Sequence, residues 1–315
     1  MNPVLAAHHV SKVYRHPVRS VIGRGPSVAL DDVTFTIADQ TIYGLLGRNG
    51  AGKTTLMQIL TGQNFASSGR VELFGQSPYE NDAALANVCF VKESQRYPDV
   101  FTVANALRAA ALLFPEWDND FALSLVEDFQ LPPRRRVSKL SRGMRSALGV
   151  IIGLAARSRI TLFDEPYLGL DAVGRQLFYD RLLRDYADHP RTVILSTHLI
   201  DEVSALIEHV LLLDRGRLIV DAETESLREQ MVTVTGPVST VDTIAAAHHE
   251  LHRDLLGSTA RATLRGDFDA AGRARAAAHG VQVEPVSLQQ LVVRLTTAAE
   301  PAPVSVGAVD KELSR

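Results

Sequence analysis

A glycine-rich stretch constrains the fold of this chain more than any other feature. Residues 47–55 read Gly-Arg-Asn-Gly-Ala-Gly-Lys-Thr-Thr and fill every fixed position of the pattern G-x-x-x-x-G-K-[ST]. The apolar stretch 41–46 precedes it as a short strand would, and residues 56–60 carry apolar side chains at helical spacing. A strand, a glycine-rich turn and a helix N-terminus in this order form a cradle of backbone N–H groups. The pattern therefore predicts a site for nucleotide phosphates.

The residues of this loop have different expected tasks. We expect Lys53 to reach the β- and γ-phosphates and the Thr54 hydroxyl to sit on Mg²⁺. The other loop residues expected to contact the nucleotide are Gly47, Asn49, Gly50, Ala51, Gly52 and Thr55. A glycine-rich turn with a chance lysine is the alternative, which the flanking strand and helix disfavour.

Acidic side chains follow a second apolar stretch. Residues 160–163 read as a buried strand that ends in Asp164 and Glu165, beside the phosphate loop. We expect Asp164 to hold Mg²⁺ and Glu165 to polarise the attacking water as general base. His198 ends the next strand at the same sheet edge, so a donor to the γ-phosphate is favoured over a structural histidine. An acidic turn after a core strand is the alternative for the two carboxylates.

Composition excludes several classes of protein. The net charge of −3 over 315 residues gives no indication of nucleic-acid binding. Cys89 is the single cysteine, so no intrachain disulfide is expected. No signal peptide is apparent at the N-terminus, and the apolar runs are too short to span a bilayer. We expect a chain that is soluble by itself and that reaches a membrane only through a partner.

Strands alternate with helices up to about residue 230, which predicts an α/β domain with a largely parallel sheet. Strands are expected at 4–14 and 30–37, before the phosphate loop. A helical subdomain is expected at about 93–157, with helices at 103–113 and 119–129. A short helix is predicted at 203–207, followed by a hairpin.

The pattern changes after residue 230. We expect a small α+β domain at 231–296, joined to the first domain, 1–230, and followed by a disordered tail at 297–315. The elements predicted in the small domain are strands at 232–235, 260–264 and 281–283 and helices at 243–255, 270–279 and 288–295.

The order of the motifs resembles the ATP-binding subunits of ABC transporters over about residues 4–220. The motifs that carry the resemblance are Tyr14 ahead of the phosphate loop, the Walker A loop at 47–54, the Q-loop region at 91–95, the signature at 140–144, the Walker B segment with Glu165, and the switch histidine His198. A D-loop-like segment, 169–171, lies between the last two.

The resemblance implies a P-loop NTPase fold of the ABC ATPase type, with antiparallel N-terminal strands and a helical insertion. It implies a homodimer or heterodimer of ATP-binding subunits that encloses two ATP and hydrolyses them. Ser141 and Gly143 would bind the γ-phosphate of the partner's ATP, and Tyr14 would stack on adenine unless it is a core aromatic. The implied partner is a transmembrane permease on separate chains, which holds this subunit at the cytoplasmic face of the membrane and carries out export. The implied groove for the permease lies near residues 96–101.

The sequence departs from the family pattern at three places. The signature reads Ser-Arg-Gly-Met, where the family usually has Ser-Gly-Gly-Gln. Glu93 stands where the Q-loop glutamine is expected, and a glutamate there can also bind Mg²⁺ or its water and so contact the nucleotide site. Leu168 replaces the usual D-loop serine and removes a hydroxyl.

Two other functions remain as alternatives. A soluble ATPase of the same superfamily would act on ribosomes or DNA, but the chain has one cassette and no sustained heptads. A binding module without hydrolysis is disfavoured because Glu165 and His198 are both present.

Overall fold

The structure is a computed structural model that describes residues 3–14, 26–92, 95–229, 231–266, 268, 270–297 and 304–305. The chain forms two compact units, Met1–His198 with Leu213–Leu218, and Leu199–Leu212 with Ile219–Arg315. The second unit thus includes segments before residue 230, and the predicted boundary at 230 stays a prediction. Among the described helices, none combines the length and the hydropathy that a bilayer crossing needs.

The first unit begins with an antiparallel sheet. The first four strands of the chain are β1 (Leu5–Tyr14), β2 (Ser27–Ile37), β3 (Ile42–Leu46) and β4 (Ser68–Leu73). β1 lies between β2 and β4 and pairs antiparallel with both. Buried and more exposed residues alternate along the second half of β2, because one face of the sheet is turned to the core. The predicted antiparallel N-terminal strands are confirmed.

A parallel sheet forms the core of the first unit. Its further strands are β5 (Val88–Lys92), β6 (Ile160–Asp164) and β7 (Thr192–Thr197), in the order β3-β7-β6-β5. Every residue of β3, β6 and β7 is buried, as expected for strands that are covered on both faces. The register pairs Leu46 with Thr197 and Asp164 with Ser196, so the carboxyl ends of these strands meet at one sheet edge.

Six helices of the first unit are described. They are α1 (Lys53–Leu60), α2 (Asp82–Leu85), α3 (Val103–Leu113), α4 (Asn119–Asp128), α5 (Arg142–Ala155) and α6 (Ala172–Asp188). Side-chain oxygens of Thr102, Asp118, Ser141 and Asp171 accept backbone N–H groups of the first turns of α3 to α6. These four caps explain why each helix begins where it does. The two helices predicted in the insertion are present as α3 and α4.

The second unit begins with short elements. They are α7 (Ile200–Val203), β8 (His209–Asp214), β9 (Arg217–Glu223) and α8 (Thr224–Glu229). The helix predicted at 203–207 is therefore misplaced. The Val203 carbonyl accepts the N–H groups of Leu206 and Ile207, which closes the turn, and both of these side chains are buried without a helix.

The remainder of the second unit is a split β-α-β fold. Its elements are β10 (Met231–Pro237), α9 (Val238–Ala245), β11 (His249–Leu256), β12 (Thr259–Arg265), α10 (Ala270–Ala278) and β13 (Gln282–Pro285). It is followed by α11 (Leu288–Thr297) and β14 (Val304–Ser305). The antiparallel order β11-β12-β10-β13 is that of ferredoxin-like sheets. The predicted small α+β fold is confirmed.

One predicted helix in this region is wrong. The sequence predicted a helix over residues 243–255, but α9 ends at Ala245 and β11 follows. β11 pairs with β12 from His249 to Leu256, and this cross-strand pairing outweighs the local helical spacing of apolar residues. In the predicted tail, β14 pairs in parallel with Val220 and Asp221; residues 298–303 and 306–315 lie outside the described residues.

Candidate nucleotide site

A cavity of about 550 Å³ opens at the edge where the parallel strands end. Its lining residues are Ala29, Asn49, Gly50, Ala51, Gly52, Lys53, Thr54, Thr55, Asp164, Glu165, Leu168 and His198. The structure therefore brings the phosphate loop together with the two carboxylates and the histidine that the sequence placed at one edge.

The glycines of the loop have backbone positions that other residues would strain. Gly47 and Gly52 have φ angles of 146° and 109°. A Cβ atom would lie 2.3 Å from the Leu213 carbonyl oxygen at Gly47 and 2.5 Å from the Ala29 carbonyl oxygen at Gly52. α1 begins directly after Gly52, and no side chain of the described residues caps it. Its first N–H groups are therefore available to an anion.

Lys53 is buried, with 7% of its side chain exposed. Its Nζ donates to the Gly47 carbonyl oxygen at 2.7 Å and lies 3.8 Å from Glu165 Oε1. Burial lowers the pKa of the Lys53 ammonium, and the charges of Glu165 and Asp164 oppose that shift. A poorly solvated ammonium at the cavity wall favours the approach of an anion such as a phosphate.

A pair of oxygens beside the loop has the character of a Mg²⁺ site. Thr54 Oγ1 donates to Asp164 Oδ2 at 2.7 Å, and Asp164 is 5% exposed. The other carboxylate oxygen, Asp164 Oδ1, is buried and accepts no hydrogen bond from the described residues. A buried carboxylate oxygen without a partner, next to a hydroxyl, suits a hard divalent cation. The residues present fit Mg²⁺; Glu93, the third expected ligand, lies outside the described residues.

Glu165 is held by the residues that follow β6 and β7. Its Oε2 contacts His198 Nδ1 at 2.7 Å and the Tyr167 hydroxyl, and 13% of its side chain is exposed. The Tyr167 hydroxyl also lies 2.7 Å from Thr197 Oγ1. Sequence reasoning identified Glu165 and His198 but missed Tyr167. A hydroxyl-bearing aromatic two residues after a strand-end carboxylate is the signal that could have indicated it.

Four predicted binding residues lie outside the described lining of the cavity, namely Gly47, Tyr14, Ser141 and Gly143. The Tyr14 hydroxyl accepts from Asn64 Nδ2 at 2.9 Å, and Lys12 Nζ lies 5.1 Å from the centre of its ring. Ser141 caps α5 by accepting the N–H of Met144. A Cβ atom at Gly143 would lie 2.6 Å from the Gly169 carbonyl oxygen, so the signature packs closely on the D-loop-like segment.

A second cavity in the first unit is largely apolar. It encloses about 210 Å³ and is lined by Cys89, Phe90, Val91, Gln95, Tyr97, Phe101, Ala106, Ala109, Ala110, Leu113, Phe114, Gly149 and Ile152. Leu113 is 70% exposed, and the neighbouring residues Leu112 and Val100 are 84% and 72% exposed. Burial raises the pKa of the Cys89 thiol to about 12, so this cysteine is an unreactive wall residue.

Comparisons with known proteins identify the family of this chain. The family model described as ABC transporter matches residues 30–168. ABC transporter ATP-binding protein YtrB of Bacillus subtilis is 25% identical over 65% of this chain and 70% of its own length. Nod factor export ATP-binding protein I of Rhizobium johnstonii is 30% identical over 66% of this chain and 68% of its own length.

Solved structures have the same fold. The dimeric structure of the ATP-binding cassette MJ0796 bound to ADP and Pi aligns with a TM-score of 0.59 and 19% identity. The alignment covers 70% of this chain and 98% of that cassette. The predicted ABC-type cassette fold is thus confirmed. The chain belongs to the ABC transporter family and is one of its ATP-binding subunits.

Proposed function

We propose that this chain binds ATP with Mg²⁺, hydrolyses it, and so powers transport by permease subunits on separate chains. The observation that carries the proposal is the cavity at the sheet edge. It holds the uncapped start of α1, the Thr54–Asp164 oxygen pair and the carboxylate of Glu165. These groups are the minimal set for phosphoryl transfer to water.

Each group has one task in this proposal. Lys53 and the N–H groups of residues 49, 50 and 52–55 bind the β- and γ-phosphates, and the proton of the attacking water goes to Glu165. Thr54 and Asp164 hold Mg²⁺, with Glu93 as a further ligand on the strength of its position in the sequence. The ion, when bound, neutralises charge on the phosphate oxygens. His198 donates to the γ-phosphate from the edge of the cavity.

The signature residues serve a second copy of the subunit. Ser141 and Gly143 lie at the start of α5 and outside the described lining of their own chain's cavity. A helix start with an exposed serine suits the γ-phosphate of a partner's ATP. The dimer of MJ0796 supports this arrangement by analogy of fold. Tyr14 is proposed to contact the adenine of the ATP bound by its own chain.

The permease is proposed to dock at the apolar cavity beside α3. The cavity lies near residues 96–101, where the sequence resemblance expects this groove, and its lining residue Leu113 is 70% exposed. An exposed apolar rim around a cavity is typical of a protein interface. Docking there would hold the subunit at the cytoplasmic face of the membrane. The word export in the name of the Rhizobium relative favours export as the direction.

Copurification from detergent-solubilised membranes tests the transporter function. Leu113→Glu, on the cavity rim, should lose the membrane partner while the isolated chain keeps its ATPase rate. Val173→Glu is the matched control, because Val173 is a comparably exposed apolar residue, 77% exposed, at the start of α6. If the wild-type chain copurifies with no integral membrane protein, the transporter proposal is wrong. If both variants behave alike, the proposed docking position at the apolar cavity is wrong.

The alternative of a soluble ATPase acting on ribosomes or DNA is not favoured. The relatives named above are transport or export ATP-binding proteins. The net charge of −3 does not indicate nucleic-acid binding. Recovery of the wild-type chain with ribosomes or DNA instead of membranes would reverse this order.

A further inference from the structure

Tyr167 lies at the centre of the hydrogen bonds around the proposed base. Tyr167 is 2% exposed, and its hydroxyl contacts Glu165 and His198, which both line the nucleotide cavity. The hydroxyl contacts Glu165 Oε2, Thr197 Oγ1 at 2.7 Å and the backbone N–H of His198 at 3.1 Å. It thus joins the end of β6 to the end of β7.

The directions of these hydrogen bonds follow from the groups involved. An ionised carboxylate only accepts, so the phenol donates its single hydrogen to Glu165. Its two lone pairs then accept from the Thr197 hydroxyl and the His198 N–H, while His198 Nδ1, 3.3 Å from the phenol oxygen, lies closer to Glu165 Oε2 and directs its hydrogen there. One donor and two acceptor positions are the full capacity of a hydroxyl. The phenol is therefore fixed in one orientation by its surroundings.

In this arrangement the two carboxylate oxygens of Glu165 have different partners. Oε2 receives the phenol hydrogen and the Nδ1 hydrogen of His198, which lies at 2.7 Å. Oε1 lies 3.8 Å from Lys53 Nζ, beyond hydrogen-bonding distance. Oε1 is thus the oxygen left for a water molecule, and Oε2 is the oxygen by which the side chain is held. Burial raises the pKa of the Tyr167 phenol, which keeps the donor protonated.

From these contacts we propose that Tyr167 is a positioning residue, which holds Glu165 Oε2 so that Oε1 can accept the proton of the attacking water. The inference rests on the proposed ATPase function and deepens it, because it assigns separate tasks to the two oxygens of the base. A carboxylate that is already held by one oxygen does not have to lose side-chain rotamer entropy when its other oxygen binds the water. The contribution of Tyr167 must therefore pass through Glu165.

The test is a double-mutant cycle on ATP turnover. Tyr167→Phe keeps the ring and removes only the hydroxyl, so kcat should fall about 10-fold with KM for ATP nearly unchanged. In the Glu165→Gln background, the same change should alter the single-turnover rate less than about twofold, because the base on which Tyr167 acts is gone. A merely structural tyrosine would cost the same factor in both backgrounds.

Two controls separate positioning from loss of structure. Tyr43→Phe removes another buried phenol hydroxyl, which accepts the Ala38 N–H at 2.9 Å near the start of β3, and it should leave kcat unchanged. Thr197→Val removes the hydroxyl that contacts the phenol and should lower kcat in the same direction, whereas Thr197→Ser should restore it. ATP affinity and thermal unfolding of each variant show whether it is folded.

The outcomes distinguish failure of the proposed ATPase function from failure of the positioning role of Tyr167. Absence of wild-type turnover overturns the proposed function and this inference with it. Wild-type turnover combined with an unchanged kcat in Tyr167→Phe, or with equal losses in both backgrounds, overturns the inference alone. If Tyr167→Phe does not fold, the Thr197→Val and Thr197→Ser pair decides, and equal rates for that pair contradict the positioning role.

Discussion

Lys53 shows how single residues prepare the nucleotide site. Its ammonium has lost most of its water and retains a carbonyl at 2.7 Å and a carboxylate at 3.8 Å. The lowered pKa reflects this loss of solvent, with Glu165 and Asp164 opposing it. A triphosphate would bring negative charge and hydrogen-bond acceptors to the ammonium in place of the lost water. A large part of ATP affinity should therefore depend on this one side chain.

Replacement of Lys53 tests that dependence. Lys53→Ala should weaken ATP binding about 100-fold or more, since hydrogen bonds to charged groups contribute about 1.5–3 kcal/mol each and the lysine reaches two phosphates. Lys139→Ala is the control, because it removes the same charge from an exposed position. Titration with a fluorescent ATP analogue measures both. Equal affinities for the two variants would contradict the role of Lys53.

Much of the cavity could be predicted from sequence because its residues stand at strand ends. The phosphate loop follows β3, Asp164 ends β6 and His198 follows β7, and adjacent parallel strands bring such positions together. Tyr167 escaped prediction because its role depends on Thr197, a residue of another strand. Ala29 lines the cavity from β2, and nothing in the local sequence of β2 indicates this position.

Among the secondary-structure elements, α5 gives the clearest test of the dimer. Ser141 is exposed and caps this helix, whereas Gly143 has no room for a side chain against Gly169. A substitution at Gly143 would therefore disturb its own chain as well as a partner. Ser141 is the better position for a test, because aspartate and asparagine both cap helices as well as serine does.

A comparison of Ser141→Asp with Ser141→Asn separates the effect of a negative charge at this position from the effect of helix capping. Ser141→Asp should bind ATP normally as a monomer but fail to dimerise on ATP, because its carboxylate would face the partner's γ-phosphate. Like charges in a partly dry interface repel by several kcal/mol. Ser141→Asn should dimerise measurably. Light scattering with ATP decides, and identical dimerisation of the two variants would argue against contact in trans.

Helices and strands were predictable where capping and periodicity agreed. α3 and α4 begin directly after their capping residues Thr102 and Asp118, and their apolar spacing is helical throughout. The segment 243–255 has similar spacing, but half of it pairs with β12, and long-range pairing is not visible in a local pattern. The same limit applies to 203–207, where burial of Leu206 and Ile207 occurs in a turn.

At the scale of the whole molecule, the nucleotide site and the small α+β region are chemically separate. Every residue lining the nucleotide cavity lies at or before His198. Within the second unit, however, α11 packs against α7, whose side chains Ile200 and Val203 are buried, so removal of the C-terminal region takes away a helix that α7 contacts. Truncation at the predicted boundary, residue 230, should therefore lower the stability of the fragment more than it lowers ATP binding.

A truncation series tests this separation. The fragment 1–230 should keep ATP affinity within about threefold of the full chain and should unfold at a lower temperature, because burial of each apolar side chain contributes about 1.5–3 kcal/mol. The fragment 1–297 is the control, since it lacks only the tail. A folded 1–230 fragment that binds no ATP would show that the C-terminal region belongs to the site.

The central claim is that Glu165 takes the proton of the attacking water in a Mg²⁺- and ATP-loaded site. Its most direct test is the rate of phosphate release in a single turnover by wild type and Glu165→Gln, with ATP binding measured on the same samples. Glu116→Gln, an exposed glutamate changed in the same way, is the control.

We expect Glu165→Gln to bind ATP normally, to release phosphate about 10²–10⁴-fold more slowly than wild type, and to accumulate as an ATP-bound dimer. Phosphate release by Glu165→Gln at a rate near that of wild type and Glu116→Gln would contradict it.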